Sequence, residues 1–193
     1  MTRPIYRPPW RIDLDVRDGV RSPLAGAALG GVVAAALEAA GAPAPASIGL
    51  ILADDAELAG LNATHMGVVG PTDVLSFPLI PPEVFPPHPG RTRDAGDAGP
   101  FFALPPGRRL HLGDIVVSVE RAMEQAATGR GGHTGDVRWS AADELRLLVT
   151  HGVLHICGWD HAEPDEESAM RALERRLLSP MVKPLPAGGR PRG

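Results

Sequence analysis

Apolar and polar positions along the first third of the chain change period in ways that mark out separate elements. Ile12, Leu14 and Val16 alternate with Asp13, Asp15 and Arg17, the period-two signature of a strand with one buried face. Asp18-Gly19 then turns the chain, and a sheet-edge position is expected for this strand. Ser22 followed by Pro23 reads as a helix cap and first helical position, and the Ala-rich stretch from Leu24 to Ala40 stops at Gly41, a usual helix terminus. Its scarcity of charge predicts burial. Ile48 to Ala53 is a short apolar run consistent with a buried strand, and Asp54 with Glu57 three positions on starts a short helix to Leu61.

Thr72 to Phe77 reads as a third strand and Gly113 to Val119 as a fourth, in which Val116, Val117 and Val119 supply β-branched bulk. Glu120 to Ala127 then looks helical. Between those strands lies Pro81 to Gly107, which holds eight of the chain's 21 prolines and can continue neither a sheet nor a helix. It reads as an excursion. Two helices follow: one from Ala141 to Cys157, capped by Ser140 with Asp143 three residues later, and one from Pro164 to Leu178, with Met170, Leu173 and Leu177 on one face. The tail from Pro180 to Gly193 is expected to be disordered. Four short strands and about five helices without regular alternation predict an α+β fold. The expected arrangement is a single domain over residues 1–179 with a small, mainly four-stranded mixed sheet.

Composition narrows the function classes. With 193 residues, 44% hydrophobic and 22% charged, the chain is ordinary for a soluble domain with a real core. A formal charge of -4 argues against a protein that coats nucleic acid non-specifically, because that affinity comes from Lys and Arg neutralising phosphates. Any RNA contact must be local. No run approaches the ~18 apolar residues of a membrane span, and no apolar secretory segment follows the first charges, so a cytoplasmic protein without membrane contact is expected. The single cysteine, Cys157, cannot form an internal disulfide.

The chemistry concentrates in His151-Gly-Val-Leu-His155-Ile-Cys-Gly158-Trp-Asp-His161. Residues four apart on a helix share a face, so His151 and His155 can aim at one point. Gly158 stands where the helix must end and tolerates the left-handed backbone that would bring His161 back toward that point. The metal site is therefore expected on a buried helix and the following turn. Three imidazoles without a fourth protein ligand is the donor set of an open, catalytic zinc site, whereas structural zinc takes four protein ligands. Ordinary polar residues on a surface helix would be the plainer reading. Against it, Leu148, Val149, Val153, Leu154 and Ile156 make this helix apolar nearly all round, and buried histidines need partners. The spacing is also that of the metzincin proteases, which carry a glutamate directly after the first histidine as general base; here that position is Gly152. Asp160 could accept a ring N–H from a ligand histidine or cap the turn, and Cys157 reads as a small buried residue and not a ligand.

Three stretches, Pro71-Thr-Asp-Val-Leu-Ser-Phe-Pro78, Leu112-Gly-Asp-Ile-Val-Val-Ser118 and the histidine segment, give the chain from about Ile48 to Leu178 a close likeness to one family. In their order and approximate separation it resembles the YbeY endoribonucleases, also called rRNA maturation factors. The resemblance implies a single-domain hydrolase specific for single-stranded RNA, acting in 16S rRNA 3′-end maturation and ribosome quality control. It further implies one Zn2+ per chain held by His151, His155 and His161, and as partners an rRNA precursor and the ribosome or its small-subunit proteins.

The likeness breaks just before Pro71, where the family carries an arginine and this chain has Met66. Methionine offers phosphate neither charge nor donor. Arg108 and Arg109, at the end of the excursion, are candidate replacements, read otherwise as solvated loop charges. Thr72, Asp73 and Ser76 are candidates for contact with RNA or with the ligand histidines. Strand alternation puts Asp73, Leu75 and Phe77 on one face and Thr72, Val74 and Ser76 on the other, so that not all can face the metal. His65 and Asp114 stand between a site role and a structural one. Two alternatives follow: a ribosome-associated RNA-processing factor whose metal only stabilises the fold, and a metallohydrolase acting on protein, which Gly152 disfavours.

Overall fold

Period-two alternation is realised in β2 (Trp10–Val16), where Trp10, Ile12 and Leu14 are buried and the residues between them are not. The computed structural model describes residues 2–91, 109–128 and 140–179. In chain order they form β1 (Arg3–Arg7), β2, α1 (Gly26–Ala39), β3 (Ala46–Ala53), α2 (Asp55–His65), β4 (Val74–Pro78), a 3-10 turn (Pro82–Val84), β5 (Leu110–Ser118), α3 (Val119–Thr128), α4 (Ala141–Ile156) and α5 (Pro164–Leu178). The strands make one mixed sheet in the order β1-β2-β3-β5-β4. β2, β3 and β5 run parallel, while β1 and β4 are antiparallel to their neighbours. The molecule is thus an α+β domain. No helix among the described residues is long and apolar enough to cross a membrane.

The sheet has five strands where the pattern predicts four, and β2 is not at its edge. β1 pairs with β2 through Ile5↔Ile12, yet of its residues only Ile5 is even half-buried. An edge strand carrying Arg, Pro and Arg has no alternation to read, and such residues protect an edge from further pairing. Helix α1 starts at Gly26 with Ala25 as its cap residue, and Ser22 instead uses its hydroxyl on the backbone of Leu24. Helix α2 extends past Leu61 to His65, while Asp54 accepts from the Glu57 N–H at 2.9 Å. In α4 the capping box of Ser140 and Asp143 is present. Ile80, just before the excursion, and Phe85 within it are buried in the main core, so its first part is packed against the domain. The rest of it, residues 92–107, lies outside the described residues, as do Arg108 and the tail 180–193.

The core fixes where the site can be. Ile12, Ile48, Leu50, Ile115 and Val117 on one sheet face meet Leu29, Val33 and Leu37 of α1 and Val149, Val153 and Leu154 of α4. On the other face α2 contributes Leu58 and Leu61 to a smaller cluster with Ala53, Val116 and Phe77. Helix α4 approaches β4 and β5 so closely at Gly152 that a Cβ there would lie 2.6 Å from Ile115 Cγ2 and 3.1 Å from Val74 Cγ2. The Ser76 hydroxyl donates to the Gly152 carbonyl at 3.1 Å across the same contact. Gly152→Ala should therefore lower stability, since overpacking costs about 1–3 kcal/mol against about 1 kcal/mol gained in helix propensity. Urea unfolding checks this, and a raised midpoint would show that the contact is slack.

Candidate metal centre

One helix and the turn after it carry the three histidines. His151 and His155 lie one turn apart on α4, and the helix ends in a bend at Gly158, whose φ of 81° is left-handed. The Gly158 N–H reaches the His155 carbonyl and the Trp159 N–H the Leu154 carbonyl, both at 3.0 Å, the closure of a helix that reverses direction through a glycine. The reversed chain then carries His161 toward the other two. The ring centroids stand 4.5 Å (His151–His155), 5.4 Å (His151–His161) and 5.0 Å (His155–His161) apart. One nitrogen from each ring falls within 4.8 Å of the others, and the group could hold a metal ion.

The hydrogen bonds around the rings suit a cation. His151 Nδ1 meets Glu174 Oε1 at 2.8 Å, and Glu174 is buried on α5. A carboxylate there makes Nδ1 the donor and leaves Nε2 of a neutral ring with its lone pair outward. His155 is bonded to the Trp159 backbone, and its own Nε2 faces Nε2 of His151 at 3.0 Å. At that distance the two nitrogens share a proton in an N–H···N bond or, when neither carries one, direct two lone pairs at a common cation. Zinc–nitrogen bonds of about 2.0–2.1 Å fit rings at this spacing, and the all-imidazole donor set suits zinc.

Burial, and then the neighbouring His151 and His161, lower the pKa of His155 to about 4. It is therefore neutral at pH 7, the form that binds a metal. In the metal-free chain the folded value lies below the unfolded one of about 6.5, so the unfolded state takes up the proton first as pH falls. The stability tied to this ring is fully present above pH ~6.5 and is lost as pH falls toward about 4, by up to about 3 kcal/mol. Urea unfolding in chelator at pH 7 and pH 4.5 should show this loss in the wild type and less of it in His155→Gln. Parallel behaviour of the two proteins would contradict the assignment.

A cleft of about 400 Å3 opens beside the triad, bordered by Met66, Thr72, Asp73, Val74 and Ser76 as well as the histidines. Thr72, Asp73 and Ser76 all border it, contrary to the strict alternation expected. Thr72 and Asp73 precede β4, where alternation does not apply, while Val74 and Ser76 face α4 and Phe77 faces α2. Asp73 is already engaged, accepting from Gln125 Nε2 at 3.1 Å and from the Val74 N–H at 2.9 Å.

Other candidates stand elsewhere. Asp160 takes the turn-capping alternative, accepting from the His161 N–H at 2.8 Å. Arg109 donates to the Pro9 carbonyl at 2.7 Å, in the β1–β2 turn. His65 meets Phe77 edge-on at 5.2 Å, Asp114 pairs with His111 at 3.2 Å, and Met66 is half-exposed at the cleft. Cys157 is fully buried, which pushes its thiol far above the usual range and leaves it inert. Glu174 was missed from sequence. Its signal was an acid four residues after Met170 on the inward stripe of α5, where a leucine would be ordinary.

Comparison with known proteins places this arrangement. Curated proteins named Endoribonuclease YbeY from Mycolicibacterium smegmatis and Mycobacterium tuberculosis are each 44% identical over 137 residues, which is 71% of this chain and 65% of theirs. The match thus spans just under two thirds of those relatives' own length. A solution structure of a Thermotoga maritima protein shows 20% identity and a TM-score of 0.48, covering 88% of this chain and 91% of that one. A family model described as Endoribonuclease YbeY matches residues 23–182, a stretch that runs from the first residues before α1 through all three histidines, and the chain belongs to the YbeY family.

Proposed function

We propose that this protein is a zinc-dependent endoribonuclease that cleaves single-stranded RNA, acting in the cytoplasm in 16S rRNA 3′-end maturation and ribosome quality control. In this reading residues 1–179 form one catalytic domain, its metal ligands are His151, His155 and His161, and its partners are the rRNA precursor and the small subunit. The observation that carries it is the convergence of three imidazoles beside an open cleft, in a chain of a family named for RNA cleavage. Zinc bound there would supply Lewis acidity toward a phosphoryl oxygen and water activated at neutral pH.

The chain's own side chains do the rest. Glu174 holds the His151 ring in one orientation and one tautomer, and burial keeps His155 unprotonated. The Thr72 hydroxyl at the cleft edge donates to Asp73 Oδ1 at 3.3 Å, and its rotation would turn that one proton to a phosphate or ribose oxygen. A protease reading finds no support, because the contacts at Gly152 leave no room for a glutamate side chain. Purified protein should cut a single-stranded RNA spanning the 16S 3′ end, and the combined His151→Ala, His155→Ala, His161→Ala variant should not. Equal cleavage by both would trace the activity to a contaminant.

One observation favours a second reading, a ribosome-bound processing factor with a structural metal. Among the described residues no arginine borders this cleft, Met66 stands at its edge, and Arg171, in the adjoining hollow that shares Asp73, His151 and His161, is paired with Glu167. Met66→Arg separates the two. Faster cleavage marks a weakened enzyme, whereas unchanged cleavage with ribosome binding retained marks the binding factor.

A further inference from the structure

Next to the triad lies a second cavity, of about 460 Å3, which shares His155 and Pro78 with the cleft. Its walls are Pro78, Ile80 and Pro82 on one side and the end of α4 on the other. The segment that closes it is docked firmly. His88 stacks on Trp159 with ring centroids 4.2 Å apart and planes 7° from parallel. The Asp160 N–H donates to the Gly90 carbonyl at 2.8 Å, and a Cβ on Gly90 would fall 2.2 Å from Trp159 Cε3.

Arg91 follows directly and borders the cavity, with Nη1 3.4 Å from where a Cβ on Gly158 would sit. Among the described residues that nitrogen is buried without a hydrogen-bond partner, and Arg91 makes no ion pair there. Nη1 itself is covered by protein, so contact with a ligand falls to the rest of the guanidinium on the cavity wall. Phosphate is a poor candidate for that ligand. Four carboxylates, those of Glu83, Asp160, Glu163 and Glu166, border the same space against one guanidinium, and a phosphate group seated inside it would be repelled, whereas an uncharged base would not.

An apolar slot with an arginine donor and carboxylate acceptors at its rim suits the flat faces and mixed edge of a nucleobase. Guanine fits best: its adjacent N1–H and N2–H2 match the two oxygens of one carboxylate, and its O6 and N7 match the arginine fork. We infer that this cavity receives an unstacked guanine of the RNA next to the cleaved phosphate, Arg91 and Glu83 reading its edge. The inference rests on the endoribonuclease reading for its substrate. Arg91 and Glu83 are specificity residues in it, and neither contacts the reacting phosphate.

The test titrates the intact, zinc-loaded chain with guanosine, adenosine, cytidine and uridine, nucleosides that bring no phosphate to the histidines. Binding is followed in NMR spectra through the Trp159 indole N–H and the Ile80 and Ile156 methyls. Guanosine should bind at least about 10-fold more tightly than the others, and Arg91→Ala and Glu83→Gln should each weaken it about 10-fold with zinc content unchanged. Arg91→Lys, which keeps the charge and loses the fork, should also weaken it. Equal affinity for all four nucleosides, no binding, or binding indifferent to all three variants would overturn the inference. RNA cleavage measured alongside separates the two claims. Cleavage without guanosine selectivity removes the pocket and leaves the nuclease, whereas Arg91-dependent guanosine binding without cleavage leaves the pocket and removes the nuclease.

Discussion

His155→Ala is expected to take the purified protein from about one zinc per chain to a trace, and RNA cleavage should fall with it. The ring it removes is neutral at pH 7 because of its burial, and its Nε2 is 3.0 Å from that of His151. What remains is one ring on α4 and the exposed His161, too few imidazoles to compete with water and buffer for the ion. The loss of affinity should exceed the roughly 10–100-fold that follows removal of a group that only supports a ligand. The fold should survive, because the helix is held by Val149, Val153, Leu154 and Ile156 in the core. Elemental analysis with circular dichroism checks both halves. A folded variant that kept its full zinc would remove these histidines from the account.

Glu174→Gln carries the second-largest effect, and its cause lies outside the donor set. The Glu174 carboxylate is 2.8 Å from His151 Nδ1 and is buried, so it fixes the tautomer that turns Nε2 toward the other rings. Glutamine keeps the shape and removes the charge, and its amide can turn either N or O to the ring. Zinc affinity should fall about 10–100-fold, read by competition with a chromogenic chelator. Asp165→Asn is the control, since Asp165 lies exposed in the first turn of the same helix. Equal affinity in Glu174→Gln and wild type would reduce Glu174 to a packing residue.

How much of this was legible in the sequence depended on whether the signal was local. The ends of α4 could be read because the Ser140–Asp143 box and Gly158 act within one helical turn of their own position. The histidine cluster was legible for the same reason, since one helix and one bend deliver all three rings. β1 was not, because a strand whose residues mostly face water carries no period. The cleft wall was only half legible: β4 appeared as a strand, but its approach to α4 depends on the absent side chain at Gly152. Glu174 could not be placed, because the contact joins α5 to α4 across 23 residues. The expected replacement arginine differs as well: Arg109 is held at Pro9, and the arginine beside His155 is Arg91, nearer the start of the same excursion.

The zinc K-edge absorption spectrum of the loaded chain tests the central claim most directly. Three imidazole nitrogens at about 2.0–2.1 Å, one further oxygen at similar distance and no sulfur are the predicted ligands. A sulfur neighbour would have to come from Cys157 or from Met66 at the cleft. That result, or a single imidazole, would contradict a site built from His151, His155 and His161.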